Sequence, residues 1–394
     1  MIKAGVGSST IENSVEAANE AASAAMEQAR TDECDWAVVF STFPHRANYE
    51  EILKSVCATT KTKKVSGCSA LGVLSSSGEI EAEPGVVVLA VSSSKIRAKP
   101  FIIHQLGAGG VKAGEEIGDT LKSSVDEGSL LTLLPDPFHI HPELLFQGVR
   151  SKLGGIPIVG ASASEDPRIN DTFEFFGDTV ASGAVSGLLL SGDFSYNIDI
   201  TQGCQLVGKT SVITGCNKNV ISELDGEPAL DVLKRMIPSS LTYDPLNIMR
   251  LIFVAFPPVR GETEITGGDY LVRNLIGLDP ELGAIAVTEN VEEGQTVSFT
   301  MRNPDMARQD LKQMLERVSS GNSPERPYKF GLYFNCCARG TSLYGIDGID
   351  TAYISNALGD IPIVGFFGNA EFAPLRGRNH LFTYTGVLVL FSDK

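Results

Sequence analysis

Along this chain, apolar positions recur at steps of three and four, give way to short unbroken apolar runs, and then start again. Ile11, Val15, Ala18, Ala22, Ala25 and Ala29 fall on one helical stripe, and Ser9 with Glu12 has the spacing of a capping box at its start. The pattern then predicts a strand over 36–41, a helix over 49–57, a strand ending at Gly67, and two further strands over 85–92 and 96–103. A second copy begins with a helix through Ile117, Leu121 and Val125, followed by a strand over 130–134. Pro142 suits a first helical position, and its helix buries Leu145, Val149 and Leu153. Strands follow through Ile158 and over 172–176, 183–190 and 196–201. A third copy opens at Asn303-Pro304, with Leu311, Met314, Leu315 and Val318 on its first helix, a strand over 329–335, a helix over 347–358, and a last strand over 386–391.

Each copy reads approximately α-β-α-β-β-β. A short apolar strand between two amphipathic helices implies sheets covered by helices. The expected fold is mixed α+β (α/β), with layered sheets built from three such repeats across two domains. The boundary is expected near 206: residues 1–206 carry two repeats, and 207–394 carry the third plus a divergent segment. That segment shows a short helix over 227–234 and strand candidates over 248–256, 284–287 and 296–301.

The copies share a phrase in which a β-branched run meets a glycine and opens into small residues. It occurs as Lys64-Val-Ser-Gly-Cys-Ser-Ala70, Ile156-Pro-Ile-Val-Gly-Ala-Ser-Ala163 and Ile361-Pro-Ile-Val-Gly-Phe-Phe-Gly368. Such self-similarity marks an internally repeated architecture, and the three loops are where backbone could approach a ligand.

Composition narrows the function classes. Charged residues at 20% and hydrophobic residues at 43% describe a packed globule. A formal net charge of −16 argues against nucleic acid and anionic membranes as partners, since both require basic footprints. Seven cysteines without metal-type spacing, and a start without a long apolar segment, lead us to expect a reduced, cytoplasmic protein.

With these segments in place, the chain resembles the FIST family. The amino-terminal half is similar to the FIST N domain through Val65-Ser-Gly-Cys-Ser-Ala-Leu-Gly72 and the residues after it, Leu133-Leu-Pro-Asp136, and Ile158-Val-Gly-Ala-Ser-Ala-Ser-Glu-Asp166. The carboxy-terminal half is similar to FIST C through Glu223-Leu-Asp-Gly-Glu-Pro-Ala-Leu230, Phe334-Asn-Cys-Cys-Ala-Arg-Gly340 and Gly365-Phe-Phe-Gly-Asn-Ala-Glu371. The wording is closest to the FIST portion of F-box-linked members, but residues 11–30 are already read as a repeat helix, leaving no room for an F-box. The family's histidine-bearing ending is replaced here by Phe382-Thr-Tyr-Thr385. The resemblance implies a small-molecule-binding sensory protein in signal transduction, with amino acids or related small carboxylates as ligand and a signalling protein downstream.

The candidate site follows from the repeat loops. Cys68, Ser69, Ser162 and Ser164 supply small groups beside open backbone that could cradle an anion, or simply satisfy tight turns. Cys336 and Arg339 follow a strand in the third copy, where α/β sheets often bind ligands. Arg339 could hold a carboxylate, or form a salt bridge with Glu371. Phe367, Asn369 and Glu371 lie on the neighbouring loop, with Glu165 and Asp166 as the counterparts of Glu371 in the second copy. An arginine for a carboxylate and an acid for an ammonium is the pairing that an amino acid requires. Alternatives are an enzyme using Arg339, Glu371 and a loop cysteine, or a scaffold related to ubiquitin-ligase adaptors. No catalytic constellation, cofactor or metal is expected. His139 and His141 could converge on a metal with Asp136 as a further ligand, but two more ligands are not visible and a loop preceding a proline-started helix explains them as well; Gly107–Gly110 reads as a turn rather than a phosphate cradle.

Overall fold

The computed structural model of the protein describes all residues except 105–109, 238–244, 266 and 324. The turn read at Gly107–Gly110 therefore lies mostly outside the described residues. The chain divides into two compact units. One comprises Met1–Ile200, Leu311–Leu381 and Gly386–Lys394; the other comprises Thr201–Asp310 and Phe382–Thr385. The third copy thus shares a unit with the first two. The architecture is mixed α+β, with several sheets covered by helices.

The first copy runs β1 (Ile2–Ser9), α1 (Ser14–Ala29), β2 (Trp36–Thr42), a 3-10 turn (Phe43–Asn48), α2 (Tyr49–Thr60), β3 (Val65–Ala70), the hairpin β4 (Gly72–Ser75) and β5 (Gly78–Glu81), and β6 (Val86–Ser93). The second repeats this order as β7 (Ile96–Ile103), α3 (Val111–Leu121), β8 (Leu130–Pro135), α4 (Pro142–Leu153), β9 (Ile158–Ala161), β10 (Glu174–Phe176), β11 (Thr179–Ala181) and β12 (Val185–Gly192). The third opens with β13 (Phe194–Gln202).

Before it resumes, the second unit intervenes. Its elements are β14 (Cys204–Asn217), β15 (Val220–Leu224), β16 (Glu227–Pro228), α5 (Ala229–Met236), α6 (Pro245–Leu251), β17 (Ile252–Phe256), β18 (Leu271–Asp279), β19 (Ala284–Val287) and β20 (Thr296–Arg302). The third copy then completes itself with α7 (Pro304–Ser320), β21 (Tyr328–Cys336), α8 (Thr341–Tyr344), α9 (Ile349–Leu358), β22 (Ile363–Gly368), the hairpin β23 (Glu371–Leu375) and β24 (Arg378–Phe382), and β25 (Thr385–Asp393).

The repeat unit is therefore β-α-β-α-β-hairpin-β. The strands predicted to close the first two copies, β7 and β13, instead open the next ones: β7 pairs with β12 and β13 with β25. Within each copy the strands after the two leading helices run parallel, β2 with β3, β8 with β9 and β21 with β22.

The hairpins are exchanged cyclically. The first copy's hairpin extends the third copy's sheet, in the order β13-β25-β21-β22-β4-β5. The second copy's hairpin extends the first sheet, β1-β6-β2-β3-β10-β11, and the third copy's extends the second, β24-β23-β9-β8-β12-β7. Each sheet thus ends on strands borrowed from another copy, so no copy's sheet is complete without its neighbour.

Sequence explains the local choices. The helix α1 lays Ala21, Ala25 and Ala29 against β1, where a Cβ on Gly5 or Gly7 would run into helix backbone. The predicted capping box is corrected. Ser9 ends β1, and Asn13 caps the helix instead, its Oδ1 accepting the Val15 and Glu16 amides at 3.1 Å each. Ile11 and Val15 are exposed, because the buried stripe starts only at Ala17. The third-copy cap holds: Asn303 Oδ1 accepts the amides of Asp305 and Met306.

The phrase glycines share one cause. A Cβ on Gly67, Gly160 or Gly365 would enter the carbonyl oxygen of Val39, Leu133 or Tyr333, each on the adjacent parallel strand. Runs such as Val86 to Val91 are wholly buried, because helices cover one face of each sheet and other strands the opposite face.

In the second unit, β14, β20, β17, β18, β19 and β15 pair in sequence, and β15 pairs back to β14. This closes a six-stranded ring with no free edge among those strands, and β16 adds to β15. The long β14 makes closure possible, pairing β20 from Cys204 to Val212 and β15 from Ile213 onward. The predicted strand over 248–256 is shorter, since α6 occupies its first part.

Candidate functional site

The three loops named by the repeated phrase meet, and their small polar groups hold them together. Ser69 Oγ donates to the Ser164 carbonyl at 3.0 Å and accepts the Phe173 amide at 3.1 Å. Ser164 Oγ accepts the Leu71 amide at 2.8 Å and donates to the Phe367 carbonyl at 2.5 Å. Cys337 Sγ donates to that same carbonyl at 3.2 Å. The Asn369 amide reaches Ser162 O at 3.1 Å, the Ser162 amide reaches Ala370 O at 2.8 Å, and Asn369 Nδ2 reaches Ala163 O at 3.3 Å. Three copies are thereby joined through one hydroxyl, that of Ser164.

Cys68, Ser69, Ser162, Ser164, Phe367 and Glu371 are all buried at this junction. Cys68 and Ser69 lie within β3 rather than on a loop. Phe367 packs in the third copy's core with Leu74 and Leu388. Cys336 is also buried, as the last residue of β21.

Strand register corrects one equivalence. Glu174 stands opposite Cys68, Glu371 opposite Ala161, and Val73 opposite Phe366. The counterpart of Glu371 is therefore Glu174, not Glu165 or Asp166. Glu174 accepts the Thr172 hydroxyl at 3.0 Å and the Ala184 amide at 3.2 Å. Burial, and then Asp136, push its pKa well above the usual carboxylate range.

These acids shape the thiols. Burial, followed by Glu174 and Glu165, raises the Cys68 pKa well above normal. Burial pushes Cys337 up to about 12, with Ser164 working against the shift and Glu371 and Glu81 adding to it. Both thiols are held protonated, the unreactive form.

Arg339 belongs to a separate buried cluster, and its acidic partner is Asp350 rather than Glu371. Nε and Nη2 reach Asp350 Oδ2 and Oδ1 at 2.9 and 3.0 Å, a two-pronged pair with both side chains fully buried. Asp350 also accepts the hydroxyls of Tyr333 and Tyr344 at 2.9 Å each and Asn335 Nδ2 at 3.0 Å. Burial works to raise the Asp350 pKa, but Arg339 and these donors outweigh it and hold the carboxyl below its ordinary value. The charge that would meet a ligand carboxylate is already neutralised.

A different cation and acid, Arg46 of the first copy and Glu165 of the second, lie within electrostatic reach of each other. Glu165 is only 7% exposed; its Oε2 accepts the Tyr49 hydroxyl at 3.0 Å, and its Oε1 is buried without a hydrogen-bond partner. The nearby Ser69 hydroxyl spends its proton on the Ser164 carbonyl. Burial raises the Glu165 pKa against the opposing pull of Ser69, Tyr49, Arg46 and the Asp166 amide. Arg46, from the turn after β2, is exposed with its guanidinium 5.1 Å from the centre of the Phe173 ring, and it makes no ion pair among the described residues. Asp166 is occupied by Arg168, which binds both its oxygens and holds its pKa down to about 2.

Sequence reading missed Arg46, Tyr49 and Glu174. A signal existed in the register. Thr42, Asp136 and Cys336 occupy matching strand-end positions, so His45, His139 and Arg339, three residues on, are equivalent. Each copy sets a nitrogen base or cation at this turn, each held locally. His45 Nδ1 lies 3.0 Å from Ser14 Oγ, and His139 Nδ1 lies 3.0 Å from Asp136 Oδ2. Asp136 also accepts the amides of Phe138 and Gly183, as a loop cap does. Among the described residues no group of three or more His, Cys, Asp or Glu side chains is placed to hold a metal, and no helix is long and apolar enough to cross a membrane.

Comparison with known proteins agrees with the motifs. The FIST N domain model matches residues 35–227, and the FIST C domain model matches 229–374. An uncharacterized protein of Mycobacterium tuberculosis is 31% identical over 393 residues, covering 100% of both chains. An uncharacterized protein of Mycobacterium bovis is 29% identical over 392 residues, covering 100% of this chain and 99% of that one. Among solved structures, a chorismatase aligns over 92% of this chain and 93% of its own at 8% identity and a TM-score of 0.32. A cyanuric acid hydrolase from A. caulinodans aligns over 48% of this chain and 71% of its own at 9% identity and a TM-score of 0.30. At these scores neither structure bears on what the chain does. The two family models together span most of the sequence, and the chain belongs to the FIST family, with a FIST N and a FIST C domain.

Proposed function

We propose that this protein is a small-molecule-binding sensory protein acting in signal transduction, and that it takes an amino acid or related small carboxylate at the Arg46–Glu165 pair. The observation that carries this reading is the buried, unpartnered Oε1 of Glu165 beside an arginine that makes no ion pair among the described residues. Leaving such an oxygen unsatisfied costs about 1–3 kcal/mol, and a ligand ammonium group would supply both a donor and a countercharge. Arg46 would take the ligand carboxylate through its guanidinium fork, and Phe173 would form one wall. The FIST family is regarded as a sensory module for small ligands, which supports the same class.

Signal output requires a state that binds ligand better than another. Glu165 lies between Tyr49 of the first copy and Ser164 of the second, so a ligand there would bias the junction of the copies. The enzyme alternative is weakened at Cys68 and Cys337, whose thiols burial keeps protonated.

The test is a thermal-shift screen of the full chain against amino acids and small organic acids, repeated with Arg46→Ala. The reading expects a saturable rise in Tm that the variant loses. Hits with undiminished effect on Arg46→Ala would reject this site, and turnover of a hit would move the protein to the enzymes.

A further inference from the structure

The geometry points to a second ligand site, for a phosphorylated sugar or polyol, at the opposite ends of the strands that carry the first. A groove of about 530 Å³ lies where β2, β3 and β8 begin. Asp35 precedes β2, Lys64 precedes β3, Ser123 to Asp126 precede β8, and Arg97 and Lys99 enter along β7. Its size is that of an ordinary small-ligand site.

Charge is the second argument. In a chain of net charge −16, three cations converge on this one concavity. Only Arg97 is compensated, by Asp126 at 2.5 Å. Lys64 makes no ion pair among the described residues. Lys99 Nζ is held by uncharged oxygens alone, the Thr120 carbonyl at 2.7 Å and Ser124 Oγ at 3.2 Å, which position its charge without cancelling it. With Arg97 and Asp126 paired, Lys64 and Lys99 outnumber Asp35 along the groove, and this cationic excess favours an anionic group on the ligand.

The third argument selects the rest of the ligand. Ser123, Ser124 and Ser191 line the same groove and offer short hydroxyls to phosphate oxygens. Asp35, fixed by the Ser93 amide at 2.6 Å, is an acceptor that repels a bare anion but receives hydroxyl groups. A phosphate on a hydroxylated body satisfies both features, whereas inorganic phosphate satisfies one.

Calorimetric titration of the full chain with glucose 6-phosphate, glucose and inorganic phosphate tests this. Saturable binding of glucose 6-phosphate is expected, weakened at least tenfold in Lys64→Ala and in Lys99→Met, weaker at high salt, and unchanged in Arg46→Ala. That last arm separates this site from the one proposed above. Absence of saturable binding, equal affinity for inorganic phosphate, or an unaltered affinity in both lysine variants would overturn it.

Discussion

Arg339 and Asp350 meet as a two-pronged ion pair in which neither side chain reaches solvent, the guanidinium giving Nε and Nη2 to the two carboxylate oxygens at 2.9 and 3.0 Å. Asp350→Asn removes the countercharge and leaves a buried guanidinium uncompensated. It should cost about 3–5 kcal/mol, read as a lower urea midpoint. Replacing both partners with apolar residues should cost less than either single change, because the desolvation penalty then disappears as well. A single variant with wild-type stability would contradict the structural role of the pair.

A nearby acid gives a pH test. Glu79, on the exchanged hairpin strand β5, caps α9 by accepting the amides of Thr351 and Gly348 at 3.0 Å each. Burial, and then Asp350, raise its pKa from 4.5 to about 7. With a folded-state value above the unfolded one, the native state holds its proton more tightly. The contribution is therefore complete below pH 4.5 and is lost as pH rises through 7, a change on the order of 3 kcal/mol. Glu79→Gln should flatten the stability profile between pH 5 and pH 8, measured by urea unfolding. Parallel profiles would remove Glu79 from the account.

The phrase glycines make a steric prediction. Gly365→Ala drives a Cβ into the Tyr333 carbonyl and should fall at or beyond the upper end of the about 1–3 kcal/mol that overpacking costs. Gly155→Ala, next to the corresponding second-copy strand but with nothing within 4 Å of its Cβ, should change stability by roughly 0.5 kcal/mol or less. Thermal unfolding of the two variants compares them directly.

Much of the fold was legible because its signal is local. The stripe of Leu311, Met314, Leu315 and Val318, the Asn303 cap and the three glycine phrases all report on neighbours along the chain or one strand away. The exchanged hairpins were not legible: β4 and β5 are four residues each, too short for periodicity to mark, and their partner β22 is nearly three hundred positions distant. β1 escaped because its glycines, which let α1 approach, break the apolar pattern that identifies a strand. In the site, the convergence of Ser69, Ser164 and Phe367 followed from treating the copies as equivalent. The partner of Arg339 did not, since Asp350 is brought to it by the first turn of α9 rather than by the next strand's loop. Arg46 was missed because nothing in its sequence surroundings tells an exposed arginine that lacks an ion pair from one that has found one.

Arg46 and Glu165 are proposed to read the two ends of an amino acid. The most direct measurement is calorimetric titration of a stabilising amino acid against its amide and its N-acetyl derivative, on the wild type, Arg46→Ala and Glu165→Gln. The account predicts that the wild type loses at least tenfold in affinity for either derivative. It also predicts that Arg46→Ala no longer distinguishes the amide, and Glu165→Gln no longer distinguishes the N-acetyl form. Equal affinity of the wild type for all three compounds, or unchanged discrimination in both variants, would contradict it.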